Sequence, residues 1–156
     1  MNYGKDFELK FKKDILDSIP NSSVDRLYDP MGYYSGVSNI CDFIFYHEPN
    51  IFYLELKSHK GASIPFKNIT QYEKLKEKVG IPGVRVGVII WLYEKDNAIF
   101  YLPISTIEQM KNDGEKSFGI RHLSNDKYFY LKFPSKKKRI FYDTDYSLLL
   151  TLNNGQ

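Results

Sequence analysis

Apolar and polar positions along this chain follow two different periods, and the period changes at clusters of Gly, Pro and Asn. Over residues 4–18 (GKDFELKFKKDILDS), Phe7, Phe11 and Ile15 recur at every fourth position with charges between them, which predicts a helix with one buried stripe. Pro20 and Asn21-Ser22-Ser23 close it. Residues 20–40 mix Pro, Gly, Ser, Asn and Asp with scattered apolar residues. They predict a long connection with a short strand at Val24–Leu27. So long a connection in a small domain tends to serve function.

The strongest strand pattern follows. Cys41–His47 and Ile51–Ser58 are rich in aromatic and β-branched residues, with Glu48-Pro49-Asn50 as the turn between them. Gly61-Ala62-Ser63 and Pro65 break the chain before a helix over 68–78, which Gly80 and Pro82-Gly83 end. Val84–Tyr93 is apolar almost throughout, as expected of a strand covered on both faces, by this chain or by a partner. Glu94–Asn97 turns it into a strand over Ala98–Ile104. Ser105-Thr106-Ile107-Glu108 has the spacing of a capping box and predicts a third helix from there. Lys127–Phe133 reads as a strand, and Asp145–Leu152 as a short terminal helix. The order implies an α/β fold, a mixed β-sheet flanked by helices, in a single domain over 1–156.

Composition removes several classes. With 42% hydrophobic and 26% charged residues in 156, the chain is neither disordered nor fibrous. A net charge of +3 is too small to prove a nucleic-acid partner. One cysteine excludes a disulfide framework and a Cys-rich zinc module. No apolar run approaches the ~20 residues of a membrane span, and the opening Met1–Asp6 leads into charge. The expectation is a cytoplasmic protein with no membrane partner.

Side chains alternate along a strand, so Tyr53, Glu55 and Lys57 share one face and Phe52, Leu54 and Leu56 the other. On the preceding strand Asp42, Ile44 and Tyr46 lie opposite Cys41, Phe43 and Phe45. Paired as a hairpin, the strands bring Asp42 beside Glu55. Neighbouring carboxylates repel and raise each other's pKa. A divalent cation relieves that repulsion, and hard oxygen ligands suit Mg²⁺ or Mn²⁺. Lys57, one alternation on, can stabilise charge developing on a phosphate.

The spacing alone fits an ordinary solvated ion pair equally well. Two features favour a site. Asp42 sits inside an aromatic run, an odd place for a surface charge. Lys60, Lys67 and Gln71 gather basic and polar groups after Lys57, where phosphates would lie. In the long connection Arg26 offers charge to phosphates. Tyr33 and Tyr34 offer stacking faces for bases, or pack the loop. Lys137 and Arg139, in the basic run 136–139, read either as a solvated loop or as a clamp on a DNA backbone.

Asp42, then twelve residues, then Glu55-Leu56-Lys57 matches the PD-(D/E)xK nuclease motif. Ile64-Pro65-Phe66-Lys67-Asn68-Ile69 resembles the Phe-Pro-Leu-Lys-Asn-Ile segment that follows the active-site lysine of RecU-type Holliday junction resolvases. Gly4-Lys5-Asp6-Phe7-Glu8 resembles that family's first helix. Arg139-Ile140-Phe141-Tyr142-Asp143 is similar to its closing stretch, without the proline. The resemblance runs along most of the chain, with firm motifs over about 41–71. It implies a restriction-endonuclease-like sheet and a homodimer that nicks four-way DNA junctions with Mg²⁺ or Mn²⁺. Asp42, Glu55 and the Leu56 carbonyl are then metal ligands, Lys57 is the catalytic lysine, and Glu8 and Gln71 join the catalytic group. The family's long stalk corresponds to the much shorter stretch 20–40. Two alternatives stay open: a nuclease of the same fold acting on duplex or flap DNA, and a non-catalytic DNA-binding module.

Overall fold

A computed structural model of the chain describes residues 1–28, 38–138 and 142–156. Its first element is α1 (Tyr3–Ser18), started by Asn2, whose side-chain oxygen accepts from the Lys5 N–H at 3.2 Å. The predicted stripe is the buried one: Phe11 and Ile15 are fully enclosed and Phe7 nearly so. Emptying a phenylalanine site of this kind costs roughly 3–5 kcal/mol.

Three strands follow, β1 (Ser23–Arg26), β2 (Phe43–His47) and β3 (Asn50–His59). They pair antiparallel in sequence, with β2 and β3 in register from Phe43 opposite Leu54 to His47 opposite Asn50. The chain then crosses over through β4 (Ser63–Pro65), a 3-10 turn (Phe66–Asn68) and α2 (Tyr72–Lys76). It returns as β5 (Val84–Leu92), parallel to β3. After β5 come β6 (Ala98–Pro103), α3 (Ile104–Asn112), β7 (Ser117–Gly119) and β8 (Leu131–Lys132). The last strands, β9 (Ser135–Lys137) and β10 (Tyr142–Thr144), pair with each other, and β4 pairs with β7. The main sheet is six-stranded and mixed, in the order β1-β2-β3-β5-β6-β8.

Alternation along β3 and β5 sorts the core into two layers. Phe52, Leu54, Leu56 and Ile89 pack with Phe43, Phe45 and the α1 stripe. Val86, Val88, Ile90 and Leu92 pack on the other face with Tyr72 and Leu75 of α2 and Ile107 and Met110 of α3. The apolar strand β5 is thus covered on both faces by this chain's own helices, and its composition gives no argument for a partner.

Several boundaries differ from the sequence pattern. The expected helix over 68–78 is reduced to the five residues of α2, because i→i+3 turns flank it: the Ile69 and Tyr72 N–H groups donate to the Phe66 and Ile69 carbonyls, and the Lys78 and Val79 N–H groups to those of Leu75 and Lys76. Helix α3 starts after Pro103, and no capping box forms: the Ser105 hydroxyl donates instead to the Gly155 carbonyl at 2.6 Å. Of 127–133 only Leu131–Lys132 is strand. The Tyr128 hydroxyl donates to Asp113 at 2.8 Å, and the Phe129 carbonyl accepts from Thr106, so the segment packs over α3. The terminal helix is a 3-10 turn over Ser147–Thr151. Buried Asp14 on α1 holds the C-terminal region, accepting from Lys10 at 2.5 Å and from the Thr144 N–H at 3.0 Å. Among the described residues no helix is long and apolar enough to cross a membrane.

Candidate active site

The expected strand over 41–47 begins only at Phe43, and the chain bends at Asp42. That bend redirects two groups. Cys41 leaves the side of Phe43 and Phe45 and packs with Ile44 and Tyr53 in the α2 layer, where burial pushes its thiol up to about 12. The Asp42 carbonyl turns to the outer strand and accepts from the Leu27 N–H at 2.8 Å. Its side chain takes the place in the ladder that this carbonyl leaves: Oδ2 accepts from the Leu56 N–H at 2.8 Å, while the Asp42 N–H donates to the Leu54 carbonyl at 3.2 Å. Asp42 is therefore locked against the middle of β3. In an extended strand the N–H and C=O of one residue point to the same side. The Leu56 carbonyl therefore faces the Asp42 edge, past the end of β2.

Glu55 and Lys57 stand opposite Val88 and Ile90 in the parallel register, on the α2 face of the sheet. Glu55 is 4% exposed, and its Oε1 lies 3.0 Å from the Lys57 Nζ. Lys57 keeps about a quarter of its side chain accessible, at 27%. Burial raises the Glu55 pKa to about 7, with the Asp42 charge adding to the rise and Lys57 opposing it. The Asp42 carboxyl is also raised, by burial first and by the Glu8 charge, against the hydrogen bond from Leu56. A half-buried and a buried carboxyl, each raised by burial and by a neighbouring acid, are what a divalent cation stabilises. The donors they offer a hard ion are the Asp42 and Glu55 oxygens, with the Leu56 carbonyl at the same edge. Among the described residues no three His, Cys, Asp or Glu side chains group closely enough to hold a metal by themselves.

Glu8 comes from α1 and feels both carboxyls, but its Oε2 is held by the Arg26 Nε at 2.5 Å. Arg26 is half-buried in that pair and lies 5.0 Å from the Tyr28 ring centre, so it is a neighbour of the carboxyls rather than a free surface cation. Sequence reasoning missed this pairing, because nothing in the local pattern links positions 18 residues apart. Gln71 starts α2, in the layer that covers the Glu55 and Lys57 face, and its carbonyl accepts from the Leu75 N–H at 3.0 Å.

The expected phosphate contacts fall in separate places. Exposed Lys60 sits 3.8 Å from Glu94. Lys67 lines a groove with Lys111 and Lys116 that none of Asp42, Glu55 and Lys57 lines. Lys137 is exposed on β9 opposite Tyr142. Tyr33, Tyr34 and Arg139 lie outside the described residues. Compared with protein-family models and with curated proteins, the chain matches none.

Proposed function

We propose that this chain is a metal-dependent DNA endonuclease with a restriction-endonuclease-like core, acting as a homodimer on branched DNA such as four-way junctions inside a bacterial cell or a phage-infected host. The observation that carries the nuclease reading is the lock of Asp42 onto Leu56 beside the pair of buried Glu55 with part-exposed Lys57, at 2.8 and 3.0 Å. Asp42, Glu55 and the Leu56 carbonyl would hold Mg²⁺ or Mn²⁺. A bound divalent cation supplies Lewis-acid polarisation of a phosphodiester and a nucleophile at neutral pH. Lys57, oriented by Glu55, keeps its ammonium against the site, where it opposes negative charge growing on the phosphate oxygens. Arg26 holds Glu8 and adds positive potential beside Asp42. The preference for junctions rests on the resemblance of segments 4–8 and 64–69 to the resolvases, and the dimer on the need for two symmetric nicks.

The test is cleavage of labelled four-way junctions, flaps and linear duplex in Mg²⁺, Mn²⁺, Ca²⁺ and EDTA, with sedimentation at the working concentration. Paired nicks on junctions in Mg²⁺ or Mn²⁺ by a dimer are expected, with binding but no cutting in Ca²⁺. Equal cutting in EDTA overturns the metal mechanism. Equal cutting of all three DNAs, or cutting of junctions by a strict monomer, overturns the resolvase reading and leaves a general nuclease.

A further inference from the structure

On the α2 side of the sheet, the side that also carries Glu55 and Lys57, a groove of about 940 Å³ runs between the β4–β7 ribbon, the start of α2 and the end of α3. Three separate segments each send one lysine to it: Lys67 from the 3-10 turn, Lys111 from the last turn of α3, and Lys116 from the residues before β7. None of the three has a carboxylate within ion-pair distance among the described residues, although the chain pairs many of its other cations. Lys111 lies over the Tyr72 ring, 4.0 Å from its centre, which fixes its ammonium at the groove.

The groove does contain acids. Glu115 is held by Arg121 and approached by His122 at 3.5 Å, and Glu73 stands at the start of α2. With Glu115 compensated, three cations face one free carboxylate. The hydroxyls of Ser63 and Thr70 also line the groove, and they make no hydrogen bond within the described residues. Converging unpaired cations repel one another, and a concave, low-dielectric wall concentrates their field. A chain of phosphates offers the matching charge at repeated spacing, with oxygens to accept from lysine and hydroxyl donors.

We propose that this groove is a binding track for the phosphodiester backbone of a DNA strand, with Lys67, Lys111 and Lys116 on successive phosphates, away from the bond that is cut. This deepens the nuclease reading and rests on it for the choice of ligand. The groove and the Glu55–Lys57 face lie on the same side of the sheet. The track acts through phosphates, so it sets affinity and not sequence preference.

The test reads binding alone, in EDTA, by fluorescence anisotropy of a labelled single strand and a labelled duplex over a range of salt. The triple variant Lys67→Gln/Lys111→Gln/Lys116→Gln should bind roughly tenfold or more weakly. Its plot of log affinity against log salt should flatten by about 2 to 3, close to 0.7 per phosphate contact on a single strand or 0.9 on duplex. The larger change marks which form occupies the groove. A control, Lys13→Gln/Lys95→Gln/Lys132→Gln, removes equal charge elsewhere and should flatten the slope by less than about 1. If the triple variant does not fold, Lys116→Gln alone should flatten the slope by about 1, and Lys116→Arg should restore it. Unchanged slopes, equal losses in both triple variants, or a wild type that binds neither DNA overturn the track. Absence of cleavage in Mg²⁺ or Mn²⁺ by a wild-type protein whose groove-dependent binding is intact overturns the nuclease reading instead.

Discussion

The Asp42 Oδ2 accepts the Leu56 N–H at 2.8 Å, across 14 positions of sequence, and so acts both as a rung of the β2–β3 ladder and as a carboxylate of the candidate site. The two roles can be separated by substitution, because one needs an acceptor and the other needs a charge.

Asp42→Asn keeps an oxygen for the Leu56 N–H and should melt close to wild type. Asp42→Ala leaves that half-buried N–H without its partner and should lose about 1–3 kcal/mol. Both should lose cleavage by ~10²-fold or more. Melting curves and junction cleavage on the two variants check this. Cleavage by a folded Asp42→Asn at the wild-type rate removes Asp42 from the metal site.

Lys57→Ala should remove cleavage by ~10²-fold or more while DNA binding stays within a few-fold, because an ammonium opposing transition-state charge contributes little to ground-state affinity. The same change strips Glu55 of its cation at 3.0 Å. Excess Mg²⁺ should therefore stabilise Lys57→Ala no less than wild type. Single-turnover cleavage and anisotropy separate the two effects, and wild-type turnover by Lys57→Ala would exclude the lysine from the chemistry.

The buried Glu55 makes stability depend on pH. Its carboxyl titrates at about 7 in the folded protein against an ordinary 4.5. Between those values the folded state keeps a proton that the unfolded chain has released, so stability falls as pH rises from about 4.5 through 7. The full effect is on the order of 3 kcal/mol. Glu55→Gln should not show it and should gain on the wild type steadily as pH increases. Denaturant melts of both proteins from pH 4 to about 8 check the sign, and a constant difference across that range contradicts it. A divalent cation competes with the same proton, so its affinity should rise with pH through the same window.

Gly87 is set by a close approach in the α1-side core. A Cβ there would lie 2.2 Å from the Tyr101 Cε2, on a ring that is fully buried with its hydroxyl on the Gln156 carbonyl at 2.5 Å. The ring cannot retreat without breaking that bond, so Gly87→Ala should cost about 1–3 kcal/mol or more. Tyr101→Leu in the same chain should recover part of the loss. Chemical denaturation of the single and double variants measures the coupling, and a neutral Gly87→Ala would show that the core gives way there.

Much of the framework was legible from local pattern. Helix α1, the β2–β3 hairpin, β5 and β6 all carry dense periodic burial, and a strand's alternation by itself sends Glu55 and Lys57 to the face opposite Leu54 and Leu56. Where burial is sparse, tertiary partners decided. The capping spacing at Ser105–Glu108 lost to a hydrogen bond with Gly155, and the helix over 68–78 shortened to α2, with i→i+3 turns at Ile69, Tyr72, Lys78 and Val79 on either side.

The chain by itself determined which residues could form a carboxylate–lysine site and which strands would carry them, because residue type and period-two alternation are local properties. The tertiary structure decided what each charge does. The bend at Asp42 gave its side chain to Leu56, α1 and β1 met so that Arg26 took Glu8, and the end of α3 met the 3-10 turn so that Lys111 and Lys116 joined Lys67. Each of these pairs is far apart along the chain, and hydrogen-bond and Coulomb energies depend on distances in space that only the packed sheet and helices establish.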